Sequence, residues 1–561
     1  MRSDVPPLEG AGVRLVATRA RQSGAARVLG RMVTILGSHG SLTAAVFYVA
    51  LSLWYYNGAT AHMGSVCACD MNRDPTQWMW EFAWLPYAIG HGLNPLVPHV
   101  LWAPDGVNLA GATIAPLTAL VGVPVTALFG PVAGYNAVSM GLLPLDAWCA
   151  YLLCKQITHD TWPSLLGGYM FGFSAYTLGQ ALQNLQLVAV FPLPLAALVV
   201  LRHLDGLSSR RRLFAEMTAV VFAQLMLSGE VSLTATAVGL LALGLTWLFG
   251  GPECRSRVMH VGALIAGAYV VAGGISSYYL YEEVRASTYV NNLAYVFPND
   301  LLSFFFPTQQ FLLGGHMFKP LSATYVTGVS NEQGAYLGLP AIAIVCAYVA
   351  QNWRRVCGKV IGITCLVVFV LSLGTTLTIG GNGTIGMPYA ELAKLPLASR
   401  ALPDRLSVYV ALCSAVACAA WVARGTRGRR RSRWALAALA VAFLVPNVGL
   451  PGRTAAADEP TFFTSGAYRD YLHPGETVLP IPFAWALGGQ SMLWQASAHM
   501  RFNMLGGYWG VHVAPSYTID PAISSAPPLP IVNELLGFAP PDKRSPHELN
   551  SLLVSHEVTA V

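Results

Sequence analysis

Apolar runs long enough to cross a bilayer recur through most of the 561-residue chain, and short arginine clusters separate them. Only 11% of the residues are charged, against about 25% in an average soluble domain. A membrane-spanning helix needs about 20 predominantly apolar residues. This pattern excludes a disordered chain, a coiled coil and an ordinary cytosolic enzyme, and it predicts a protein embedded in a membrane. The net charge of +6 does not indicate nucleic-acid binding.

The distribution of basic residues predicts the orientation of the chain, because cytoplasmic loops carry an excess of Lys and Arg. Residues 1–32 form a basic tail without an apolar core, and the strongest basic cluster lies at 424–433. Placing both inside predicts about eleven transmembrane helices, a cytoplasmic N-terminus and an external C-terminus. We therefore expect a transmembrane domain over 33–452, with large external loops. These loops are 58–133 and 282–334.

Residues 112–129 are apolar enough to span, but counting them as a span puts the two basic regions on opposite sides of the membrane. We interpret them as an interfacial helix within the external loop, together with a second one at 76–91 whose Trp78 and Phe82 share one stripe. A re-entrant hairpin or an extra span is the alternative.

The last hundred residues have shorter apolar runs and more proline, and Val478–Phe483 is typical of a strand. We predict a small external α/β domain over 453–561. The expected fold class is an all-α polytopic membrane protein with this small C-terminal external α/β appendage.

Ten cysteines do not indicate a disulfide framework here, because most lie inside apolar runs. Cys67 and Cys69 are the exception. Cysteines at this spacing rarely bond each other because the geometry is strained, and a zinc site would need more ligands than the nearby His62. We expect two free thiols, or one disulfide to a distant cysteine.

Acidic residues number only 27, and several fall on the predicted external face. Each is also explained as a solvated loop charge or a helix cap; Asp74, for example, precedes Pro75 as an N-cap would. Glu230 is the sharpest candidate, because it lies in a short turn between apolar helices where a charge is costly without a partner. The external acids are Asp70, Asp74, Glu81, Glu230, Asp300 and Glu332.

Arg405 follows Pro403 and Asp404 at the expected outer start of a span, where an arginine could bind a lipid phosphate, anchor the helix at the interface or pair with Asp404. Asp146 lies near the middle of a predicted span. Such a residue is a functional candidate or forms a hydrogen bond between helices. The sequence contains no P-loop, dinucleotide fingerprint, zinc-protease motif or nucleophile elbow.

Several segments resemble a group of bacterial multi-span proteins related to the GT-C glycosyltransferases. The first external loop carries most of this resemblance, and shorter stretches continue it to the end of the chain. The chain departs from the group pattern in having Arg73 before Asp74 and Val231 after Glu230. The similar segments are 74–80, 83–84, 91–96, 104–109, 172–176, 229–230, 299–303, 307–308, 332–340, 400–405, 479–483 and 506–508.

The resemblance implies a protein of the bacterial inner (plasma) membrane. It also implies transfer of a sugar from a polyprenyl-phosphate donor to a glycan or lipid acceptor on the external face. It implies Asp74 as the catalytic base, with Asp70 second, and we expect Glu230 and Asp300 to support it. Such transfer needs a carboxylate base and cations for the departing phosphate. We expect no cofactor; a divalent metal is possible but not indicated. Phosphate or substrate binding is assigned to Arg405, Arg400, Gln77 and Glu332.

Membrane lipids are the other expected partners. Two alternatives remain: a transporter or flippase of lipid-linked sugars, in which Asp146 would be essential, and a non-catalytic membrane scaffold whose external domain binds a partner.

Overall fold

A computed structural model describes residues 40–508 and 545–561, apart from short gaps, together with three isolated residues between them. The gaps are 72–73, 112–113, 287–296, 326–329, 396–397, 399–400, 427, 458, 482 and 485–488; the isolated residues are 534, 540 and 543. The basic tail, Arg73 and Arg400 therefore lie outside the described residues.

The described chain is mostly α-helical. Its first half contains α1 (Gly40–Tyr55), α2 (Asn57–Ala61), α3 (Pro75–Gly90), α4 (Pro116–Phe129), α5 (Pro131–Thr158), α6 (Thr161–Gly172), α7 (Ala175–Gln180), α8 (Leu185–Val188), α9 (Pro192–Leu204), α10 (Arg210–Leu227), α11 (Gly229–Phe249), α12 (Pro252–Ile275) and α13 (Ser277–Ala286). Its second half contains α14 (Lys319–Ser322), α15 (Leu339–Asn352), α16 (Val356–Ser372), α17 (Tyr389–Leu392), α18 (Ser407–Ala423), α19 (Arg430–Phe443), α20 (Thr461–Thr464), α21 (Tyr468–Tyr471), α22 (Gln490–Ser497) and α23 (Ser545–Ser555).

Strands are short and few in the described part of the chain. β1 (Val66–Cys67) pairs with β4 (Ala455–Ala456), and β2 (Thr376–Ile379) forms a hairpin with β3 (Asn382–Gly386). A three-stranded parallel sheet has the order β6-β5-β7, from β5 (Thr477–Val478), β6 (Asn503–Met504) and β7 (Val558–Ala560). Short 3₁₀ turns at Leu301–Phe304, Ser330–Glu332 and Pro403–Leu406 carry candidate residues.

Five helical segments among the described residues are long and apolar enough to cross a membrane, so the predicted polytopic helical class is confirmed. These segments are Pro131–Thr158, Leu185–Leu204, Gly229–Phe249, Pro252–Ile275 and Pro403–Ala423. Shorter apolar helices occupy other predicted spans, and the number eleven stays a prediction.

Small residues let the central helices approach closely. A Cβ added at Gly172 of α6 would lie 2.4 Å from the Cβ of Ala147 in α5, so the two backbones pack as small residues allow in membrane bundles. Hydrogen bonds join α1 to the same pair: Ser52 donates to the Met140 carbonyl at 2.7 Å, and Tyr48 to the Leu165 carbonyl at 2.9 Å.

The two ends of the bundle differ in charge. At one end Arg424 donates to Asn352 at 2.6 Å, and Arg433 donates to Gln351 at 3.0 Å, joining loops that the charge rule assigns to the cytoplasm. At the other end Arg405 meets Glu230, from loops assigned to the outside. Each of these contacts joins loops that the charge rule places on the same side of the membrane. Which set faces the cytoplasm stays a prediction.

The first external loop differs from expectation at its cysteines. Cys67 and Cys69 form a disulfide with each other, so the prediction that they do not pair was wrong. The chain bends after β1 and brings the two Cα atoms to 5.1 Å, inside the range that disulfides accept.

Residues 116–129 form helix α4, which packs on α5 beyond the Gly130 turn; a Cβ at Gly134 would lie 1.9 Å from the Thr126 hydroxyl oxygen. Fourteen residues extend about 21 Å, less than the roughly 30 Å of a hydrocarbon core. This length fits the interfacial interpretation better than a full span.

The C-terminal region packs onto the first external loop. The indole of Trp80 donates to the side chain of Gln495 at 2.7 Å, and Leu101 forms a parallel bridge with Met504 at the edge of the sheet. The strand predicted at Val478–Phe483 is short, because the described β5 ends at Val478, two residues before Pro480. The boundary of this domain at 453 stays a prediction.

Candidate functional site

Arg405 is the centre of a largely buried polar cluster, at the end of the helical bundle where Glu230 lies. It lies in the Pro403–Leu406 turn that leads into α18. Its guanidinium donates to Glu230 at 2.5 Å through Nη1 and to Glu332 at 2.7 Å and 3.4 Å through Nη2 and Nε. Two acids that are about 100 residues apart in sequence therefore converge on one cation.

Glu332 is the most enclosed member of this cluster, with 4% of its side chain exposed. Gln180 donates to its Oε2 at 2.7 Å, and Asn184 contacts its Oε1 at 3.4 Å. The Asn184 amide also donates to the side-chain oxygen Oε1 of Gln180 at 2.8 Å. Burial opposes ionisation, but the Arg405 charge and the hydrogen bonds from Arg405, Asp404 and Gln180 outweigh it. The pKa of Glu332 is therefore held below its usual range.

Glu230 occupies the first turn of α11. Ser228 caps this helix by accepting from the Val231 N–H, which leaves the Glu230 carboxylate near the positive end of the helix dipole. Its second oxygen accepts from the Leu402 N–H at 2.8 Å. The sequence argument that this charge needs a partner is consistent with the contact, because Arg405 is that partner.

Asp404 is a neighbour that the sequence offered only as a partner of Arg405. Its carboxyl is buried and lies beside that of Glu332. Residues 297 and 299 hold the Asp404 main chain in place. The Asp404 N–H donates to the Phe297 carbonyl at 3.2 Å, and the side-chain amide of Asn299 donates to the Asp404 carbonyl at 3.0 Å.

Asp70 approaches the cluster through the segment between α7 and α8. Gln183 contacts its carboxylate at 3.4 Å, and the Asp70 N–H donates to the Leu182 carbonyl at 2.8 Å. The Trp78 indole donates to the Gln183 carbonyl at 3.1 Å. The segment that carries Gln180 and Asn184 thus touches Glu332 on one side and the first external loop on the other.

Asp74 stands at the start of α3, where the sequence predicts an N-cap, but its side chain makes no capping bond to the helix. Tyr508 of the C-terminal region instead donates to Asp74 at 2.6 Å. Gln77 is buried one turn further on. The structure does not bring Asp74 into hydrogen-bond contact with Arg405.

Asp300 lies apart from this network in its interactions. One carboxylate oxygen caps the Leu301–Phe304 turn by accepting from Leu302 N–H at 2.9 Å, and the other accepts from Gly381 N–H at 2.8 Å. Both oxygens therefore serve the backbone and hold the β2–β3 hairpin. This geometry favours a structural role over base support, which stays a prediction.

Glu81 shows a third arrangement. It is buried in α3, and the Ala115 N–H contacts its two oxygens at 3.1 and 3.3 Å. Burial raises the pKa of Glu81 to about 8, against the lowering effect of this bond.

Sequence reasoning missed Gln180, Asn184 and Tyr508. The first two lie just beyond the similar segment 172–176, in a stretch whose amides give no separate signal. Tyr508 lies within a segment similar to the same group, but nothing in the sequence connects it to Asp74.

Metal-binding side chains do not form a cluster in the described part of the chain. Three or more His, Cys, Asp or Glu side chains do not gather there in a way that could hold a metal ion. Glu230 and Glu332 are carboxylates of a suitable kind, but they already share Arg405. The expectation of no cofactor stays a prediction.

The membrane-length apolar helices define a polytopic helical membrane protein, and a polar cluster lies at one end of its bundle. The family described as "Domain of unknown function (DUF6311)" matches residues 45–446, and the chain belongs to that family. No curated protein matches the chain.

Solved structures to which this chain is similar include GT-C glycosyltransferases. The Archaeoglobus fulgidus oligosaccharyltransferase in its apo form has a TM-score of 0.48 at 11% identity, covering 84% of this chain and 65% of that one. ArnT from Cupriavidus metallidurans bound to undecaprenyl phosphate has 0.38 at 13%, covering 71% and 62%. Arabinofuranosyltransferase AftD from Mycobacteria has 0.43 at 15%, covering 79% and 30%.

This chain thus spans less than two thirds of each of these solved proteins. At such identities and scores, the likeness carries no argument about the activity or substrates of this chain.

Proposed function

We propose that this protein is a membrane glycosyltransferase that moves a sugar from a polyprenyl-phosphate donor to a glycan or lipid acceptor on the external face. The observation that carries the proposal is the cluster of Arg405, Glu230 and Glu332. Three loops far apart in sequence bring one cation and two carboxylates to the same end of the bundle, and loop charges that were merely solvated would have no reason to converge.

Arg405 is suited to the phosphate of the donor and of the leaving group. A guanidinium has five N–H groups, and the bonds to Glu230 and Glu332 use three of them. Two remain without a hydrogen bond to any described residue, while Glu332 fixes the plane of the guanidinium. Arginine held in this way binds a phosphate bidentately and stabilises its developing charge.

The surroundings of Glu230 suit a lipid-linked donor. Only 11% of the apolar stretch of α11 is buried inside the protein, and Leu240 in this helix is 65% exposed. The helix therefore presents an apolar surface to the bilayer, and its first turn lies beside Arg405. A polyprenyl chain lying along this surface would bring its phosphate to the cluster without leaving the membrane.

Asp74 is the proposed base for the acceptor hydroxyl, with Asp70 as the second candidate. Tyr508 orients the Asp74 carboxylate by its 2.6 Å hydrogen bond, and a carboxylate must be held within reach of the hydroxyl that it deprotonates. Gln77 lies one turn along the same helix and is proposed to contact substrate. Arg400 lies outside the described residues, so its assignment to the phosphate rests on the sequence alone.

The test is a transfer assay in nanodiscs with radiolabelled polyprenyl-phosphate sugars and a cell-envelope extract as acceptor. We expect label in the extract with the wild-type protein, a loss of at least 100-fold with Asp74→Asn and a similar loss with Arg405→Lys. Glu391→Gln is the matched control, because Glu391 is an exposed carboxylate paired with Lys394 on the same end of the bundle; it should keep full activity. Retained activity in Asp74→Asn would remove the assignment of the base.

The transporter alternative rests on Asp146. Its carboxyl is buried near the backbone of Val190 and Phe191, without a well-aligned hydrogen bond. Loss of function in Asp146→Asn together with full function in Asp74→Asn would favour transport. Loss only on deletion of 453–561 would favour the scaffold.

A further inference from the structure

A polar pocket lies between the first external loop, helix α13 and the C-terminal region, and Arg405 is not among the residues that line it. Its volume is about 830 Å³, within the size range of small-molecule sites. The loop after α3, helix α13 and strand β6 all contribute to its wall. Its polar lining includes Asn94, His99, Asn108, Glu282, Arg285 and Asn503.

The wall of this pocket is held firmly. Helix α13 packs against the turn at Leu109–Gly111, where a Cβ on Gly111 would lie 2.3 Å from the Cβ of Ala286. Across the same contact Asn108 donates to Glu282 at 2.9 Å, and Asn94 donates to the Tyr278 hydroxyl at 2.7 Å. The pocket is therefore formed before any ligand arrives.

The polar groups are oriented but not saturated. The side-chain oxygens of Asn94 and Asn108 each accept from the backbone N–H two residues further along the chain, both at 3.0 Å. An amide oxygen has two lone pairs and an amide nitrogen two N–H groups, so each side chain keeps hydrogen-bonding capacity. Glu282 is 4% exposed and accepts from Asn108 and, at 3.3 Å, from Arg285, and it also retains lone pairs.

This chemistry selects a neutral polyhydroxyl ligand. An apolar ligand would displace water from the remaining donors and acceptors of the amides and of Glu282 without replacing its hydrogen bonds, which costs free energy. An anion would meet the enclosed Glu282 carboxylate, whereas Arg285 is 62% exposed, so solvent screens its charge. Sugar hydroxyls both donate and accept, and they match fixed amides beside a carboxylate, while Trp84 supplies an aromatic surface in the lining.

We propose that this pocket binds a neutral saccharide. It lies at the same end of the bundle as Asp74, because α3 carries Asp74 at its start and Trp84 ten residues later, about 15 Å along the helix. A short oligosaccharide can bridge such a distance. If the proposed transfer is correct, the pocket holds the part of a glycan acceptor that extends away from the reacting hydroxyl.

Binding can be measured without transfer, by saturation-transfer NMR on the full chain in nanodiscs with maltotriose, mannotriose, chitotriose and xylotriose. We expect at least one trisaccharide to bind saturably. Glu282→Gln should weaken this binding about tenfold, and Leu93→Trp, a change at a 45% exposed position of the lining, should block it. Glu391→Gln lies outside the pocket and should bind as the wild type does.

Absence of saturable binding for all four trisaccharides would overturn the proposal, and so would binding that is unchanged in Leu93→Trp. If Glu282→Gln does not fold, Leu93→Trp decides alone. Asp74→Asn should keep the trisaccharide bound, so a failure of the proposed transfer and a failure of this pocket give different results.

Discussion

Glu332 and Asp300 are both buried acids at the same end of the bundle, yet their partners differ. Glu332 is held by the Arg405 side chain and by two amide side chains. Asp300 is held by two backbone N–H groups. Burial alone therefore does not mark a functional carboxylate, and the kind of donor distinguishes the two.

The difference has a chemical consequence. A substrate phosphate can compete for Arg405 or use its remaining N–H groups, because side-chain donors can reorient at modest cost. The backbone donors of Leu302 and Gly381 cannot leave Asp300 without unfolding a turn and a hairpin. The first arrangement can take part in binding and release, whereas the second stabilises the fold.

The largest effect should follow removal of the shared cation. Arg405→Met leaves the buried Glu332 and the largely buried Glu230 without a charge partner. This should lower the free energy of unfolding by about 3–5 kcal/mol. Thermal unfolding in detergent at pH 7, followed by tryptophan fluorescence, measures the loss. Adding Glu332→Gln to this variant should recover part of it, and an equal loss in the single and double variants would contradict the comparison.

Glu81 tests what a backbone donor does when it acts alone. An unfolded glutamate releases its proton near pH 4.3, whereas the folded pKa is about 8. Between these values the folded state binds more protons, so stability should fall as pH rises, by at most about 1.4 kcal/mol per pH unit. Unfolding between pH 5 and 8 should show this slope, and Glu81→Gln should flatten it; an unchanged slope in that variant would assign it to another group.

The sequence predicted charge partners provided by side chains better than those provided by backbone N–H groups. The apolar runs predicted the helical membrane class, and the position of Glu230 between two apolar helices predicted that its charge has a partner. Asp300 could not be separated from Glu332, because its second donor, Gly381, lies 81 residues away and a backbone N–H leaves no mark in a sequence. Gln180 and Asn184 were missed because uncharged amides in an apolar stretch carry little weight without the fold.

The disulfide shows the same limit on a smaller scale. Spacing alone argues against a bond between Cys67 and Cys69, and only the local bend that brings their Cα atoms to 5.1 Å reverses that argument. Contacts set by local backbone geometry or by distant loops thus lie beyond residue patterns, whereas the placement of helices in the membrane depends on composition and is predictable.

A smaller effect is expected at Asp300. Asp300→Ala removes a cap of the Leu301–Phe304 turn and the anchor of the hairpin, and loss of a capping side chain costs about 1–2 kcal/mol. Asp300→Asn keeps one oxygen to accept a backbone hydrogen bond and should lose less. Transfer activity, measured per folded molecule, should stay within about threefold of wild type in Asp300→Asn, and a loss as large as that in Asp74→Asn would place Asp300 in the catalytic machinery.

The smallest effect should come from the exposed pair of Glu391 and Lys394. Their side chains are 76% and 64% exposed and 2.7 Å apart, and such pairs contribute about 0–1 kcal/mol because solvent screens them. Glu391→Gln should therefore shift stability by less than about 0.5 kcal/mol, and the shift should vanish at 1 M salt, which screens exposed charges at about 3 Å. A larger, salt-independent loss of stability would show that solvent exposure does not distinguish Glu391 from the acids around Arg405.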